Sequence, residues 1–341
     1  MVTREGPTRP TIYDVAQRAG VSKSLVSLVL RDAPHVSPAR RQAVLEAIAE
    51  LGYRPSSAAS ALASQQTRAV GVLIDDFRNP WFVELLAGLR SVLDPAGYTV
   101  SVADFQLDTA SGRNPVDGFL AQHADALVLA AEPPAELLEN VPVPVVVAGT
   151  RELGAQALPT ADVVAGDDDR GGELATRHLL DVGHTAVGHV SGRGGPAAHR
   201  RRGYERAMRH AGLEPLVAGA GGETSEENGY TAATELLAGH PGLTGLVVAN
   251  DVMAVGALAA LDERGLTASG GTAVVGYDNS PLAAYRHLAL TSVDPHNREI
   301  GAEAARTLLA RLRNTDAEPR RYLVEPSLVV RASTRGATAQ G

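Results

Sequence analysis

From residue 68 onward, short and almost wholly apolar runs alternate with stretches that carry charge along one side only. This alternation constrains the fold more than any other feature of the chain. Residues 70–74, 99–103, 126–130 and 143–148 read as buried strands, with helices expected over about 80–96 and 115–122. The order resumes with a helix at 171–181, a strand at 186–190, a helix at 199–211, a strand at 246–249, a helix at 252–264, a strand at 272–277 and a helix at 297–313. A strand that is apolar at nearly every position must be covered on both faces, as happens when helices pack on two sides of a parallel sheet. Two successive sets of similar size predict two doubly wound parallel-sheet lobes, with a ligand crevice between them at the carboxyl ends of the strands.

The N-terminal stretch follows a different pattern. Residues 11–36 hold two short helical segments separated by A-G-V-S (19–22), a break that leaves room only for a sharp turn. Thr11 is a good N-cap and Asp14, three residues on, can answer the first free N–H groups. Val15, Ala16 and Ala19 supply a small apolar stripe, and Gly20 can take the left-handed conformation that ends a helix. Ser22 caps the second helix, whose Val26, Val29 and Leu30 face inward while Lys23, Ser24 and Ser27 face out. A third helix starts at Ser37-Pro38, with Val44, Leu45, Ile48 and Leu51 spaced for a core face, and ends at Gly52. Small polar and cationic groups at the start of the second helix describe a helix-turn-helix that reads the major groove of DNA. A helical hairpin that binds nothing has the same spacing.

Charge sharpens the contrast between the two parts. The 341-residue chain carries a net charge of −8, yet residues 1–66 hold eight Lys/Arg against five acids, so a +3 head precedes a −11 body. That asymmetry fits a small DNA-facing head on an acidic body. No cysteine is present, which excludes disulfides and thiolate metal sites. No apolar run reaches membrane-spanning length and the start lacks a signal-peptide core, so a cytoplasmic location without membrane contact is expected. Residues 56–67 (S-S-A-A-S-A-L-A-S-Q-Q-T) contain one large apolar side chain, Leu62, and read as a linker or as a helix stable only when bound.

The motifs T-I-Y-D-V-A-x-x-A-G-V-S-x-x-x-V-S-x-V-L, H-V-S and L-G-Y-R-P of the head resemble the DNA-binding head of LacI/GalR-type transcriptional repressors. N-P-W-F (79–82), residues 173–184, R-R-R-G-Y (200–204), A-N-D-V-M-A-V-G-A-L (249–258) and V-V-G-Y-D (274–278) extend the likeness to about residue 334. The resemblance implies a helix-turn-helix domain over 1–54, a hinge over 55–67, and a two-lobed, periplasmic-binding-protein-like effector and dimerisation domain over 68–335. Lobe one would comprise about 68–166 and 295–325, and lobe two about 167–294 and 326–335. It further implies a homodimer on double-stranded operator DNA. In that reading Thr11, Tyr13, Ser22, His35 and Ser37 contact phosphates, Lys23 and Ser24 meet base edges, Ser27 belongs to the same DNA-facing surface, Leu28 offers an apolar contact, and Leu62 wedges into the minor groove. The family usually has arginine where Leu28 stands and threonine where Leu25 stands, which predicts an altered operator half-site, since arginine on guanine is the commonest specific contact.

For the crevice, the resemblance implies effector contacts from Asn79, Trp81 and Phe82, from Arg200, and from Asn250 and Asp278, with Asp76 and Arg151 reaching the same space. An aromatic face stacks on a sugar ring, while amide and carboxylate groups bond its hydroxyls, so a sugar or polyol effector is expected. Gly149, Thr224 and Pro295 replace residues that often contact sugar in the family, which leaves the effector's identity open. Asp251 is expected to cap the following helix, and His199, Arg201 and Arg202 to form a solvated face. No cofactor and no metal are implied.

G-R-G-G (192–195) lacks the lysine and spacing of a phosphate loop, and D-D-D-R (167–170) reads as capping acids rather than a metal site. No hydrolase or metalloprotease motif appears, so an enzyme is not expected. A periplasmic sugar-binding protein would fit the body and leave the head unexplained. The same family includes regulators relieved by ligand and regulators that use ligand as corepressor. The tail after Thr334 lacks apolar heptads, so a dimer is expected rather than a larger assembly.

Overall fold

The computed structural model describes residues 10–30, 33–53, 67–151, 158, 161–266 and 271–334. The chain forms two compact units that meet in sequence between Thr67 and Arg68.

In the first unit, α1 (Ile12–Arg18) opens with a full capping box: the Thr11 N–H donates to Asp14 at 2.7 Å, and Asp14 N–H to the Thr11 hydroxyl at 3.4 Å. Gly20 turns the chain at φ +64°, and the Ser22 hydroxyl accepts from the Leu25 N–H at 3.2 Å to start α2 (Lys23–Leu30). α3 (Pro38–Leu51) follows, and Gly52 ends it in the left-handed conformation. Ser37 stands at the N-cap in an extended conformation, but its hydroxyl makes no capping bond. The core is Val15, Ala16, Val26, Val29, Val36, Val44, Ala47 and Tyr53. Leu45, expected in that core, is 47% exposed. The inward stripe of α3 runs 44, 47, 48 and 51, and residue 45 lies about 100° around the helix from residue 44.

The second unit contains two six-stranded sheets. The first lobe holds β1 (Ala69–Ile74), β2 (Thr99–Asp104), β3 (Ala126–Ala130), β4 (Val145–Ala148), β5 (Asp162–Gly166) and β11 (Arg321–Val324), ordered β11-β5-β4-β3-β1-β2 and wholly parallel. The second holds β6 (Val187–Val190), β7 (Leu216–Ala218), β8 (Gly245–Val248), β9 (Ala273–Tyr277), β10 (Thr291–Asp294) and β12 (Ser327–Val329), ordered β12-β10-β9-β8-β6-β7, with only β12 antiparallel. The chain passes between the sheets after β5, after β10 and after β11. Helices α4 (Trp81–Leu93), α5 (Phe105–Ala110), α6 (Pro115–Ala121) and α11 (Asn297–Arg313) accompany the first sheet. Helices α7 (Asp168–Asp181), α8 (Gly195–His210), α9 (Glu226–Gly239) and α10 (Asp251–Asp262) accompany the second.

Several elements escaped the periodicity reading. α9 is a full helix, but the face it buries is Gly229, Ala232, Ala233, Leu236 and Leu237, too small-sided to contrast with its surroundings. α7 begins at Asp168 rather than 171, because Asp167 caps it by accepting from the Arg170 N–H at 2.9 Å. That helix crosses α8 at a contact of glycines. A Cβ on Gly172 would overlap the Arg200 carbonyl oxygen, and one on Gly203 the Asp169 carbonyl oxygen. The close crossing sets Asp168 beside Arg200.

Candidate functional site

The residues gathered between the two sheets come from loops at the carboxyl ends of strands and from the first turns of the helices that follow them, where parallel sheets leave side chains free to converge. On the first lobe, Asp75 follows β1, Glu132 follows β3, and Arg151 follows β4. Arg151 donates from Nη1 to Asp75 at 3.0 Å, and its guanidinium carbon sits 5.0 Å from the centre of the Trp81 ring. Burial pushes the Asp75 carboxyl above the usual range, opposed by the Arg151 charge and by a 3.1 Å bond from the Glu132 N–H.

The second lobe repeats the arrangement. Arg200 on α8 lies 3.6 Å above the Tyr277 ring and donates from Nε to Asp168 at 2.7 Å and from Nη1 to the Ala249 carbonyl at 2.7 Å. Its Nη2 stands 3.3 Å from Asp278. Burial works against the Arg200 charge, but Asp168 and Asp278 outweigh it and raise the guanidinium's hold on its proton. Asp278 itself is held at φ +93°, a conformation rare for an L-residue and frequent at ligand sites. Each lobe therefore presents an arginine on an aromatic ring, fixed by carboxylates. A guanidinium fixed this way is a preorganised donor for vicinal hydroxyls, with little rotamer freedom left to lose.

The first unit presents a different surface. Tyr13 is 64% exposed, and Lys23 reaches across to it, with Nζ 3.3 Å from the hydroxyl and 4.9 Å from the ring centre. Ser22, Ser24, Leu28, His35, Ser37 and Thr11 are exposed and Ser27 is half-buried. Leu25 packs against the core of the head, so it serves the fold there, and of the two leucines on α2 that stand at readout positions Leu28 is the one that faces outward.

Comparison with known proteins follows the same division. Residues 11–56 match the family model "Bacterial regulatory proteins, lacI family", and residues 176–334 match "Periplasmic binding protein-like domain". The HTH-type transcriptional regulator CelR of Thermobifida fusca is 34% identical over 95% of this chain and 98% of its own. The chain belongs to the LacI family of bacterial regulatory proteins. Among solved structures, the lac repressor dimer bound to operator and the anti-inducer ONPF aligns with a TM-score of 0.81 at 27% identity, over 96% of this chain and 99% of that one. A transcriptional regulator CelR–cellobiose complex aligns at 0.69 and 30% identity, over 95% and 100%. This LacI-family chain is accordingly a transcriptional regulator and not an enzyme. No helix among the described residues is long and apolar enough to cross a membrane, and no group of acids and histidines among them could hold a metal ion.

Within this LacI-family body the residues singled out from sequence take different positions. Arg151, Trp81, Arg200 and Asp278 stand in the two arginine clusters. Asn79 sits half-buried in the loop before α4. Phe82 packs on the core and meets Phe77 edge-on at 5.4 Å. Asn250 caps α10, its Oδ1 accepting from the Met253 N–H at 2.8 Å, which leaves its amide nitrogen to offer elsewhere. Asp251, expected to be that cap, instead accepts from Ser280 N–H and the Ser292 hydroxyl, both at 2.7 Å. Asn250 takes the cap position because helix α10 starts one residue earlier than the pattern indicated.

Asp76 pairs with Arg78, whose Nε approaches both oxygens at 3.0 and 2.9 Å, while its neighbour Asp75 is the carboxylate that meets Arg151. In the D-D-D-R run only Asp167 caps. Asp168 pairs with Arg200, and Asp169 meets His199, Arg202 and Arg206, so that face is an ion-pair network rather than simply solvated. Sequence reasoning missed Asp75, Asp168 and Glu132; doubled acids at strand and helix ends were a signal for the first two, and Glu132, between Ala131 and Pro133, had none beyond its place after a strand. Leu62 lies outside the described residues.

Proposed function

We propose that this chain is a repressor that binds a pseudo-palindromic operator as a homodimer and is controlled by a sugar or polyol held between its two lobes. The observation that carries the reading is the pair of stacked, carboxylate-fixed arginines, Arg151 on Trp81 and Arg200 on Tyr277. Such groups suit a ligand rich in hydroxyls, and the cellobiose-bound relative supports that class. Asn79, Asn250 and Asp278 complete the donors and acceptors, and Asp75 takes the place expected of Asp76. In the head, Thr11, Tyr13, Ser22, His35 and Ser37 serve phosphates, while Lys23, Ser24, Ser27 and Leu28 face base edges. Leu62 is assigned to the minor groove on the likeness of its segment alone.

Control follows from linkage. A ligand shifts operator affinity only by binding the operator-competent and incompetent states with different affinity, so the same cleft can serve an inducer or a corepressor. The test is a gel shift with operator selected from random DNA by the full-length protein, with and without a panel of sugars and polyols. A specific shift that one member of the panel weakens or strengthens supports the proposal. A panel member at a hundredfold over its Kd should also stabilise the protein by about 2.7 kcal/mol. Asp278→Asn should reduce that stabilisation while leaving operator binding intact. An operator complex indifferent to every sugar and polyol, with no thermal shift, would overturn the effector assignment.

A further inference from the structure

The two lobes are joined across the cleft by a direct contact that involves neither arginine side chain. Glu132 follows β3 of the first lobe, and its Oε1 accepts from the backbone N–H of Gly195 at 2.8 Å. Gly195 is the first residue of α8, a 16-residue helix of the second lobe. Gly194, at φ +91°, directs that N–H toward the first lobe, and a Cβ on it would stand 3.3 Å from Glu132 Oε2. A carboxylate there meets both an unpaired helical donor and the positive end of the helix dipole.

The contact is also wired to both clusters. The Glu132 N–H donates to Asp75, which fixes Arg151 over Trp81, and the helix that Glu132 caps carries Arg200 one and a half turns further on. Arg193, in the loop before that helix, pairs with Glu223 of the same lobe at 2.7 Å, so the Gly195 N–H is left to Glu132. One carboxylate thus ties the strand-end loop of lobe one to the helix of lobe two that bears the other arginine.

We propose that Glu132 is an inter-lobe clasp, a positioning residue that holds the second lobe's helix α8 against the first lobe and sets the balance between closed and open cleft. The clasp is made from the chain's own atoms, so it biases the lobes toward closure without help from a ligand. The inference stands independently of the effector's identity and of the operator reading.

The chain has no cysteine, so two can be introduced cleanly for spin labelling. Ala110→Cys on α5 and Glu227→Cys on α9 are exposed positions, one on each lobe. Pulsed electron–electron distance measurements on the labelled full-length protein, without added ligand, should give one dominant short distance. Adding Glu132→Ala should raise the longer-distance population by about tenfold, the size expected for losing a charge-assisted hydrogen bond. Glu132→Gln, which keeps the shape and a neutral acceptor, should fall between the two. Hydrogen exchange at the start of α8 should quicken in the same order, and melting curves confirm that each variant is folded. Distance distributions and exchange rates unchanged in both variants would overturn the proposal.

Discussion

Gly172 and Arg200 lie so close that a Cβ on the glycine would overlap the arginine's carbonyl oxygen. This crossing of α7 and α8 brings Asp168 within 2.7 Å of the Arg200 Nε. The packing of two helices and the geometry of the cleft are therefore one constraint.

Gly172→Ala is expected to destabilise the protein by about 3 kcal/mol, the upper part of the range for overpacking, because a backbone oxygen cannot rotate away as a side chain can. Urea unfolding of parent and variant measures it. An unchanged midpoint would mean that the helices separate at no cost.

His189 is fully buried and stacked on Tyr204 with ring centres 5.0 Å apart. Burial pushes its imidazole down from 6.5 to about 3. A depressed folded pKa means the contribution is fully present above pH 6.5 and is lost as pH falls toward 3, at about 1.4 kcal/mol per unit. His189→Phe keeps the stacking and removes the titration. Its stability relative to the parent should rise steadily below pH 6.5 in denaturation series, whereas parallel curves would contradict this.

Asp251 shows the opposite sign. Burial, reinforced by the neighbouring Asp278 charge, raises its carboxyl from 3.8 to about 7. The folded state binds this proton more tightly than the unfolded state, so the contribution is present below pH 3.8 and lost as pH rises through 7. Asp251→Asn should therefore gain on the parent between pH 4 and 7 and level off above. A difference that does not vary with pH would show that Asp251 stays charged.

Leu28 is 45% exposed on α2, one turn after Ser24 on the same face of the helix. An arginine there can bond guanine bidentately, a contact worth about 1–3 kcal/mol of discrimination. Operator selection with the parent and with Leu28→Arg should yield sites that differ at one position of each half-site, with guanine recovered by the variant. Identical selected sites would remove Leu28 from the readout.

The head was legible in sequence almost residue by residue, because its signals are local. The Thr11–Asp14 capping box, the Gly20 turn and the Ser22 cap each act within four residues. Leu25 and Leu45 show the limit: whether a leucine on a short helix faces the core or solvent depends on where the third helix lies. In the body, strands such as Ala126–Ala130 were visible because they are apolar throughout. α9 was invisible because glycine and alanine bury it without marking it.

The cleft divides along the same line. By itself the sequence determined the lobes, the strand ends that carry functional loops, and the candidates Trp81, Arg151, Arg200 and Asp278. Only the tertiary structure decided between neighbours: Asp75 over Asp76, Asn250 over Asp251 as cap, Asp168 as partner rather than cap. Adjacent carboxylates look alike in a chain, and what separates them is which one the local backbone turns toward an arginine distant in sequence. Glu132 meets Gly195 for the same reason, since nothing near either residue in sequence specifies a partner on the opposite lobe.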